Sequence, residues 1–217
     1  MKKSICDKII KNSNIQNSIK EDFKSSFKTK IISGIYKGKT INIPSNTITR
    51  SSKNRLKESF FNTLQFDTID KIFIEAFGGS GGIGLEALSR GVKRVYFIEK
   101  DINTYKILKN NCKLLDSSKC INTLGDTFDI LPKVLNELKN SKDEIILYID
   151  PPFNIRDNCE DIYKKCFNIV ENISNSNIFL ICFEHSSTID IPLVLNNFNL
   201  TKSKKFGKSS LSYYKII

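Results

Sequence analysis

The chain has 217 residues, of which 40% are hydrophobic and 26% are charged. These values predict a soluble globular protein with one α/β domain and a small appendage, since domains usually contain roughly 100–200 residues. No apolar run approaches the roughly 20 residues that a membrane helix needs, and no apolar segment of a secretory signal follows the basic N-terminus. We therefore expect a cytoplasmic protein without membrane association.

Charge and cysteine usage indicate the class of partner. The formal net charge is +11, and the basic residues are concentrated in residues 1–30 and in the tail from Thr201 onward. A basic surface attracts polyanions such as nucleic acid. Six scattered cysteines without a CxxC pair and a single histidine, His185, do not form a zinc-binding pattern, so no metal site is expected.

The N-terminal 66 residues are predicted to form two parts. Residues 1–29 are a basic extension rich in Lys, Asn and Ser, to which no role is assigned. Residues 30–43 alternate apolar and polar positions around a turn that contains Gly38, a pattern that predicts a β-hairpin. Together with the helix that follows, residues 30–66 are expected to be a small hairpin-helix appendage that faces RNA.

That helix is predicted from about Ser52 to Leu64. Its apolar residues recur at helical spacing and define one buried face. The same spacing leaves Lys53, Lys57 and Glu58 largely outside.

From Lys71 the chain alternates strands and helices, which is typical of a parallel α/β sheet. An antiparallel pair is predicted to close the sheet, as in the class I S-adenosylmethionine-dependent methyltransferase (Rossmann-like) fold. Residues 67–217 are therefore predicted to be the catalytic domain. The predicted elements are strand Ile72–Phe77, helix Ile83–Arg90, strand Arg94–Ile98, helix Ile102–Leu115, strand Ile121–Leu124, helix Ile130–Lys139, strand Ile145–Ile149, helix Glu160–Asn172, strand Ile178–Phe183 and strands Phe198–Phe206 and Leu211–Ile216.

A glycine-rich loop follows the first strand of this domain. Residues 79–84 match GxGxxG between a strand and a helix, where glycines allow a tight turn and let backbone amides approach a cofactor. Glu99 ends the next strand, where a carboxylate can accept hydrogen bonds from ribose hydroxyls. The loop predicts a nucleotide-type cofactor, and both S-adenosylmethionine and a nicotinamide cofactor fit it.

The third strand favours the methyltransferase interpretation. Asp126 follows this strand, where methyltransferases place a side chain near the adenine. The alternative is local capping, since Asp in such a turn often bonds its own backbone.

Asp150-Pro151-Pro152-Phe153 is predicted to be the catalytic tetrapeptide. Asp150 and the Pro151 carbonyl can accept the two N–H groups of an exocyclic amine, so that its lone pair points at a methylsulfonium. Phe153 can stack on the base, and the remaining contribution is positioning for in-line transfer. An Asp-Pro turn alone is weaker evidence, but at the end of the fourth strand after a glycine loop the tetrapeptide predicts methylation of such an amine.

Several runs of residues carry a resemblance to a known family over roughly residues 30–217. They are Ile31 to Gly34 with Lys37-Gly38, Arg50 and Arg55 with Lys57-Glu58 and Phe61-Asn62, Phe77 to Gly81, Gly84 to Gly91, Glu99, Asp126, Asp150 to Phe153, Glu184-His185, Gly207 and Leu211 to Tyr214. Through these residues the chain resembles the RsmD family of bacterial enzymes, which methylate N2 of one guanine in small-subunit (16S) ribosomal RNA.

The resemblance implies a role for each group of residues. S-adenosyl-L-methionine, which leaves as S-adenosyl-L-homocysteine, would bind to a set comprising Glu75, Phe77, Gly79, Ser80, Gly81, Gly84, Glu99 and Asp126. The tetrapeptide would hold the guanine, and the residues facing RNA would be Arg50, Arg55 and Lys37. The expected partner is 16S ribosomal RNA or a small-subunit assembly intermediate, bound by a monomer.

The chain departs from the family pattern at the cofactor and at the helix start. Glu75 stands where an aspartate is usual, Gly78 replaces an alanine and Ser51 replaces a proline. Glu184-His185 matches the family but receives no chemical role.

Three alternatives remain at this stage. An amino-methyltransferase acting on adenine N6 or on a protein glutamine usually has tyrosine where this chain has Phe153. A nicotinamide oxidoreductase explains the glycine loop and Glu99 but gives the tetrapeptide no function. A non-enzymatic RNA-binding factor explains the basic ends but predicts no cofactor pocket.

Overall fold

An eight-stranded mixed sheet organises the protein. The computed structural model describes residues 27–44, 50–152 and 159–216, apart from the side chains of residues 50–53 and 159–160. Phe153 and residues 1–26 lie outside the described residues. Over the described ranges, no helix has the length and apolarity required to cross a membrane.

The helices and strands alternate through most of the chain. The strands are β1 (Phe27–Lys30), β2 (Thr40–Ile43), β3 (Ile72–Glu75), β4 (Arg94–Glu99), β5 (Cys120–Leu124), β6 (Ile145–Ile149), β7 (Ile178–Ser186), β8 (Val194–Leu195), β9 (Phe198–Phe206) and β10 (Ser209–Ile216). The helices are α1 (Arg50–Leu64), α2 (Gly84–Ser89), α3 (Ile102–Leu115), α4 (Thr127–Leu138) and α5 (Cys159–Glu171).

The large sheet has the order β5-β4-β3-β6-β7-β10-β9-β8. Strands β3 to β7 are parallel, and β8, β9 and β10 run antiparallel. The predicted mostly parallel sheet with an antiparallel C-terminal pair is therefore confirmed. The chain order reverses between β3 and β6, and ligands of open α/β sheets bind at the carboxyl ends of the strands at such a point.

Two hydrophobic layers cover the faces of the sheet. Helices α4 and α5 pack on one face, and α1, α2 and α3 pack on the other together with Ile31 and Ile41 beside β1 and β2. Phe60 of α1 lies within the second layer, with its ring centroid 4.9 Å from that of Tyr148 in β6. The N-terminal strands and α1 thus share one core with the large sheet.

The first predicted hairpin differs in its details. The paired residues are Phe27–Lys30 and Thr40–Ile43, and residues 31–39 form turns instead of continuing the first strand. Gly34 has a φ of +84°, which ends extended backbone. Helix α4 also begins at Thr127, three residues before the predicted start, because Asp126 caps it by accepting from the Phe128 amide at 3.0 Å.

A buried carboxylate joins the turn after β1 to helix α2, which packs on the large sheet. Glu86 of α2 is fully buried and accepts hydrogen bonds from the amides of Ile32 at 2.8 Å and Ser33 at 3.0 Å. It also pairs with Arg90 Nε at 3.0 Å and with Lys57 Nζ at 3.5 Å. Four donors from three segments therefore converge on one charge, the arrangement that makes a buried carboxylate tolerable.

The position of Lys57 corrects the prediction that it lies outside. Its exposed fraction is 4%, because the face of α1 that carries it packs towards Glu86. Burial lowers the pKa of the Lys57 ammonium, while Glu86 acts in the opposite direction. A helical wheel cannot anticipate this, since the partner lies far along the chain.

Gly34 makes the closest backbone approach between this turn and helix α2. A Cβ at Gly34 would lie 1.8 Å from the Ser89 carbonyl oxygen, which accepts the Ile35 amide at 2.8 Å. Gly38 has nearly the same φ, +83°, but a Cβ there meets nothing within 4 Å. Substituting Gly34 and Gly38 in parallel therefore separates the effect of backbone strain from the effect of steric overlap.

We expect Gly34→Ala to lower the free energy of unfolding much more than Gly38→Ala. Both variants incur about 1–2 kcal/mol from the left-handed backbone, and Gly34→Ala adds about 1–3 kcal/mol of overpacking. Equilibrium urea unfolding of the two variants measures the difference. Equal destabilisation would show that the close contact with Ser89 does not hold the turn.

Candidate active site

Two cavities open at the carboxyl ends of the parallel strands. The Glu99 cavity has a volume of about 390 Å³ and is bordered by Glu99, Asp126 and Pro151. The Glu75 cavity has a volume of about 600 Å³ and is bordered by Glu75 and Ser80. Three residues border both cavities, so the two form one cleft; they are Phe77, Gly79 and Asp150.

The glycine loop has the backbone that its sequence predicts. Gly79 and Gly81 have φ values of +50° and +81°, which favour glycine. A Cβ at Gly84 would lie 2.5 Å from a Phe97 ring carbon, so this glycine lets α2 pack closely on β4. The Gly84 amide donates to Glu75 at 2.8 Å. The side chain of Glu75, which is one methylene longer than the usual aspartate, thus contacts the loop and borders the cleft.

Glu99 holds the same loop from the neighbouring strand. One carboxylate oxygen accepts the Gly79 amide at 2.7 Å, and the other accepts the Asp101 amide at 2.7 Å. The side chain is half-buried and borders the Glu99 cavity. Since each carboxylate oxygen has two lone pairs, Glu99 can position the loop and also accept from a ligand.

Asp126 has the capping role that its position in the turn suggested, while its contact with an adenine stays a prediction. It caps α4 and pairs with Lys100 at 2.7 Å, and it borders the Glu99 cavity. The hydrogen bond from Lys100 is the main reason that the pKa of Asp126 lies below its usual value.

Asn111 is a structural residue of the cleft that sequence reasoning missed. Its side-chain amide donates to the carbonyl oxygens of Ser80 and Asn42, each at 2.8 Å, and its oxygen accepts the Asn42 amide at 2.9 Å. The fully buried Asn111 thus ties β2 to the glycine loop. Its only sequence signal is a polar residue beside Leu108 and Cys112 on the buried face of α3.

The tetrapeptide follows β6 directly. Asp150 lies where the two cavities meet, and both Pro151 and Pro152 border the Glu99 cavity. Asp150 thus follows the fourth parallel strand in chain order, as predicted, and borders the same cavities as Gly79. The expected stacking by Phe153 stays a prediction, since Phe153 lies outside the described residues.

Glu184 and His185, which received no role, occupy different environments. Glu184 borders the Glu75 cavity and accepts the Tyr148 hydroxyl at 2.7 Å. The ring nitrogens of His185 lie 2.8 Å from the Ser186 carbonyl oxygen and 2.8 Å from the Ser212 hydroxyl. Burial lowers the pKa of His185, and its contacts give it a structural role between β7 and β10.

The residues predicted to face RNA are less closely grouped. Among the described side chains, Arg55 and Lys37 are exposed but border neither cavity, while Arg50 begins α1 and its side chain is not described. Instead, the exposed Lys28 and Lys30 of β1 border the Glu75 cavity. Their spacing of two places them on one face of a strand, a signal that could have identified them.

Similar proteins share both the length and the architecture of this chain. The family described as conserved hypothetical protein 95 matches residues 29–215. The ribosomal RNA small subunit methyltransferase D of Haemophilus influenzae is 30% identical over 190 residues, which cover 85% of this chain and 92% of the relative. The protein of the same name from Escherichia coli is 26% identical over 196 residues, 90% of this chain and 93% of the relative.

A solved structure shares the fold of this chain. The Escherichia coli protein yhhF superposes with a TM-score of 0.71 at 25% identity, covering 88% of this chain and 98% of that one. The class I methyltransferase fold is therefore confirmed. The chain belongs to the family described as conserved hypothetical protein 95, the RsmD family that its sequence resembles.

Proposed function

We propose that this protein transfers a methyl group from S-adenosyl-L-methionine to the exocyclic N2 of a guanine in small-subunit ribosomal RNA. The observation that carries the proposal is the position of Asp150, at the junction between the Glu99 cavity and the wider Glu75 cavity. A residue at this junction can contact both a cofactor that extends through the two cavities and a base in the wider one. The names of the relatives, ribosomal RNA small subunit methyltransferase D, support ribosomal RNA as the substrate.

The residues of the cleft fit the proposed cofactor. Glu99 ends β4 and would offer acceptors for ribose hydroxyls, and Asp126, which borders the same cavity, would lie near the adenine. The loop from Gly79 to Gly84, with Glu75 and Phe77, would hold the methionine end. When bound, the cofactor supplies an electrophilic methyl group on a sulfonium.

The tetrapeptide would orient the amine. Asp150 and the Pro151 carbonyl accept its two N–H groups, because proline leaves a carbonyl without a competing amide donor at the same residue. The lone pair would then point towards the methyl group. Pro152 borders the Glu99 cavity, and Phe153 is proposed to stack on the base. Asp150 would take up the proton that the amine loses when it accepts the methyl group, with S-adenosylhomocysteine left as the product. This arrangement contributes mainly by positioning.

The basic side chains near the cleft would contact RNA phosphates. Lys28 and Lys30 lie at the mouth of the Glu75 cavity, and Arg50, Arg55 and Lys37 would extend the contact along the N-terminal hairpin and helix. Phosphate neutralisation supplies most sequence-independent affinity. The substrate would be 16S ribosomal RNA or a small-subunit assembly intermediate in the cytoplasm.

We expect Asp150→Ala to reduce methyl transfer at least about a hundredfold, as misplacement of a reacting group does, while S-adenosylhomocysteine binding stays nearly unchanged. Transfer of label to unmodified ribosomal RNA and calorimetry measure the two quantities. Asp67→Ala, which removes an exposed aspartate near the end of α1, is the matched control. Unchanged turnover in the Asp150 variant would refute the mechanism.

Glu99→Ala is expected to weaken S-adenosylhomocysteine binding by about tenfold or more, since it removes charged acceptors for the ribose and for the Gly79 amide. Calorimetry measures the dissociation constant, with Glu137→Ala on the exposed side of α4 as the control. Unaltered affinity would mean that the cofactor lies elsewhere. Stabilisation of the wild type by NADH instead would indicate a nicotinamide enzyme.

The double variant Lys28→Ala/Lys30→Ala tests the RNA interaction. We expect weaker RNA binding, and the slope of log K against log salt should become shallower by roughly one for each phosphate that a lysine no longer neutralises. Filter binding over a salt series measures this slope. The double variant Lys133→Ala/Lys139→Ala removes two exposed lysines of the opposite sheet face and should retain wild-type binding. If both double variants weaken RNA binding equally, the loss reflects only the lower positive charge of the protein and not a contact by Lys28 and Lys30.

A further inference from the structure

Strand register places a second carboxylate beside Asp150. The parallel pairing of β6 and β7 ends with Tyr148 opposite Cys182 and Ile149 opposite Phe183. The next pair in this register is Asp150 and Glu184, on strands about 4.8 Å apart. Both residues border the Glu75 cavity. Glu184 is therefore within reach of a base whose amine is held by Asp150.

Tyr148 fixes the carboxylate of Glu184. Its hydroxyl lies 2.7 Å from a Glu184 oxygen, and the exposed fractions are 0% for Tyr148 and 3% for Glu184. Burial, together with the charges of Glu184 and Asp150, raises the pKa of Tyr148 well above its ordinary value, so the hydroxyl keeps its proton and donates. A carboxylate has about four acceptor positions, so the bond from Tyr148 leaves Glu184 able to accept from a ligand as well.

The two purines that carry an exocyclic amine differ beside that amine. In guanine the neighbour of N2 is N1–H, a donor, whereas in adenine the neighbour of N6 is an unprotonated N1, an acceptor. An ionised carboxylate only accepts hydrogen bonds, so it complements guanine and opposes adenine. Enzymes that act on extruded bases read this Watson–Crick edge.

We propose that Glu184, positioned by Tyr148, accepts the N1–H of the target guanine and thereby selects guanine over adenine. This inference rests on the proposed function, because it assumes that Asp150 and the Pro151 carbonyl hold N2. It gives the Glu184 position of the family pattern a direct contact with substrate. Discrimination of this kind is strong, since a buried acceptor that faces another acceptor has no compensating partner.

A modified base separates the contact from a general structural effect. 2-Aminopurine keeps the N2 amine but presents an unprotonated N1. In Glu184→Gln, Tyr148 donates to the amide oxygen, which turns the amide NH₂ towards the cavity as a donor for that nitrogen. The variant should therefore lose activity on guanine and gain relative activity on 2-aminopurine, a change in preference that partial unfolding cannot produce.

The experiment first maps the guanine that the wild type methylates in small-subunit RNA. Ligated RNAs with either guanine or 2-aminopurine at that position are then compared by kcat/KM. We expect the wild type to favour guanine by about tenfold or more, and Glu184→Gln to reduce that ratio by about tenfold or more. Tyr148→Phe should reduce the ratio partly, and Glu137→Gln, the same chemical change on an exposed helix, should leave it unchanged.

The outcomes separate the two claims. If the wild type forms N2-methylguanosine but the ratio is the same in Glu184→Gln, the contact with N1–H is refuted while the proposed function stands. If the wild type places no label on guanine N2, the proposed function fails first. An equal loss on both bases in Glu184→Gln would also overturn the inference, because it indicates a purely structural role.

Discussion

The buried carboxylate of Glu86 is the interaction on which the architecture of the cleft depends. It accepts from two backbone amides of the turn after β1, from Lys57 of α1 and from Arg90 beyond α2. Removing one partner of such a buried set typically costs about 3–5 kcal/mol, because a charge is left uncompensated. Lys57 also donates to the Lys30 carbonyl at 3.4 Å, and Lys28, Lys30 and Lys57 all border the Glu75 cavity. The substrate side of the cleft thus depends on the contacts of Glu86, a residue that takes no part in the proposed reaction.

The contacts between the turn after β1 and α2 explain two of the sequence runs that carry the family resemblance. Ser33-Gly34 and the run from Glu86 to Arg90 are complementary surfaces: Gly34 lies against the Ser89 carbonyl, and the Ser89 hydroxyl donates to the Ser33 carbonyl at 2.5 Å. Both runs therefore maintain the position of the N-terminal strands. On the other side of the cleft, the parallel strands deliver Glu75, Glu99 and Asp150 to one edge, as expected where the strand order reverses.

Features that depend on local pattern could be predicted from the sequence. Hydrophobic periodicity predicts the order of strands and helices. The GxGxxG pattern predicts a tight loop, because glycine tolerates positive φ. The end of a buried apolar run predicts the location of Asp150. Contacts between distant segments could not be predicted. Glu86 and Lys57 read as ordinary helix charges, and their burial depends on partners that only the fold brings near. Glu184 likewise follows the apolar run Ile178–Phe183 of β7 without a local signal, and register with β6 gives it a neighbour in Asp150.

The central claim concerns the atom that receives the methyl group. Unmodified small-subunit ribosomal RNA and small subunits prepared without this methylation would be incubated with the wild-type protein and labelled S-adenosylmethionine, followed by digestion to nucleosides. We expect the label in N2-methylguanosine. Label in N6-methyladenosine, or in protein alone, would contradict it.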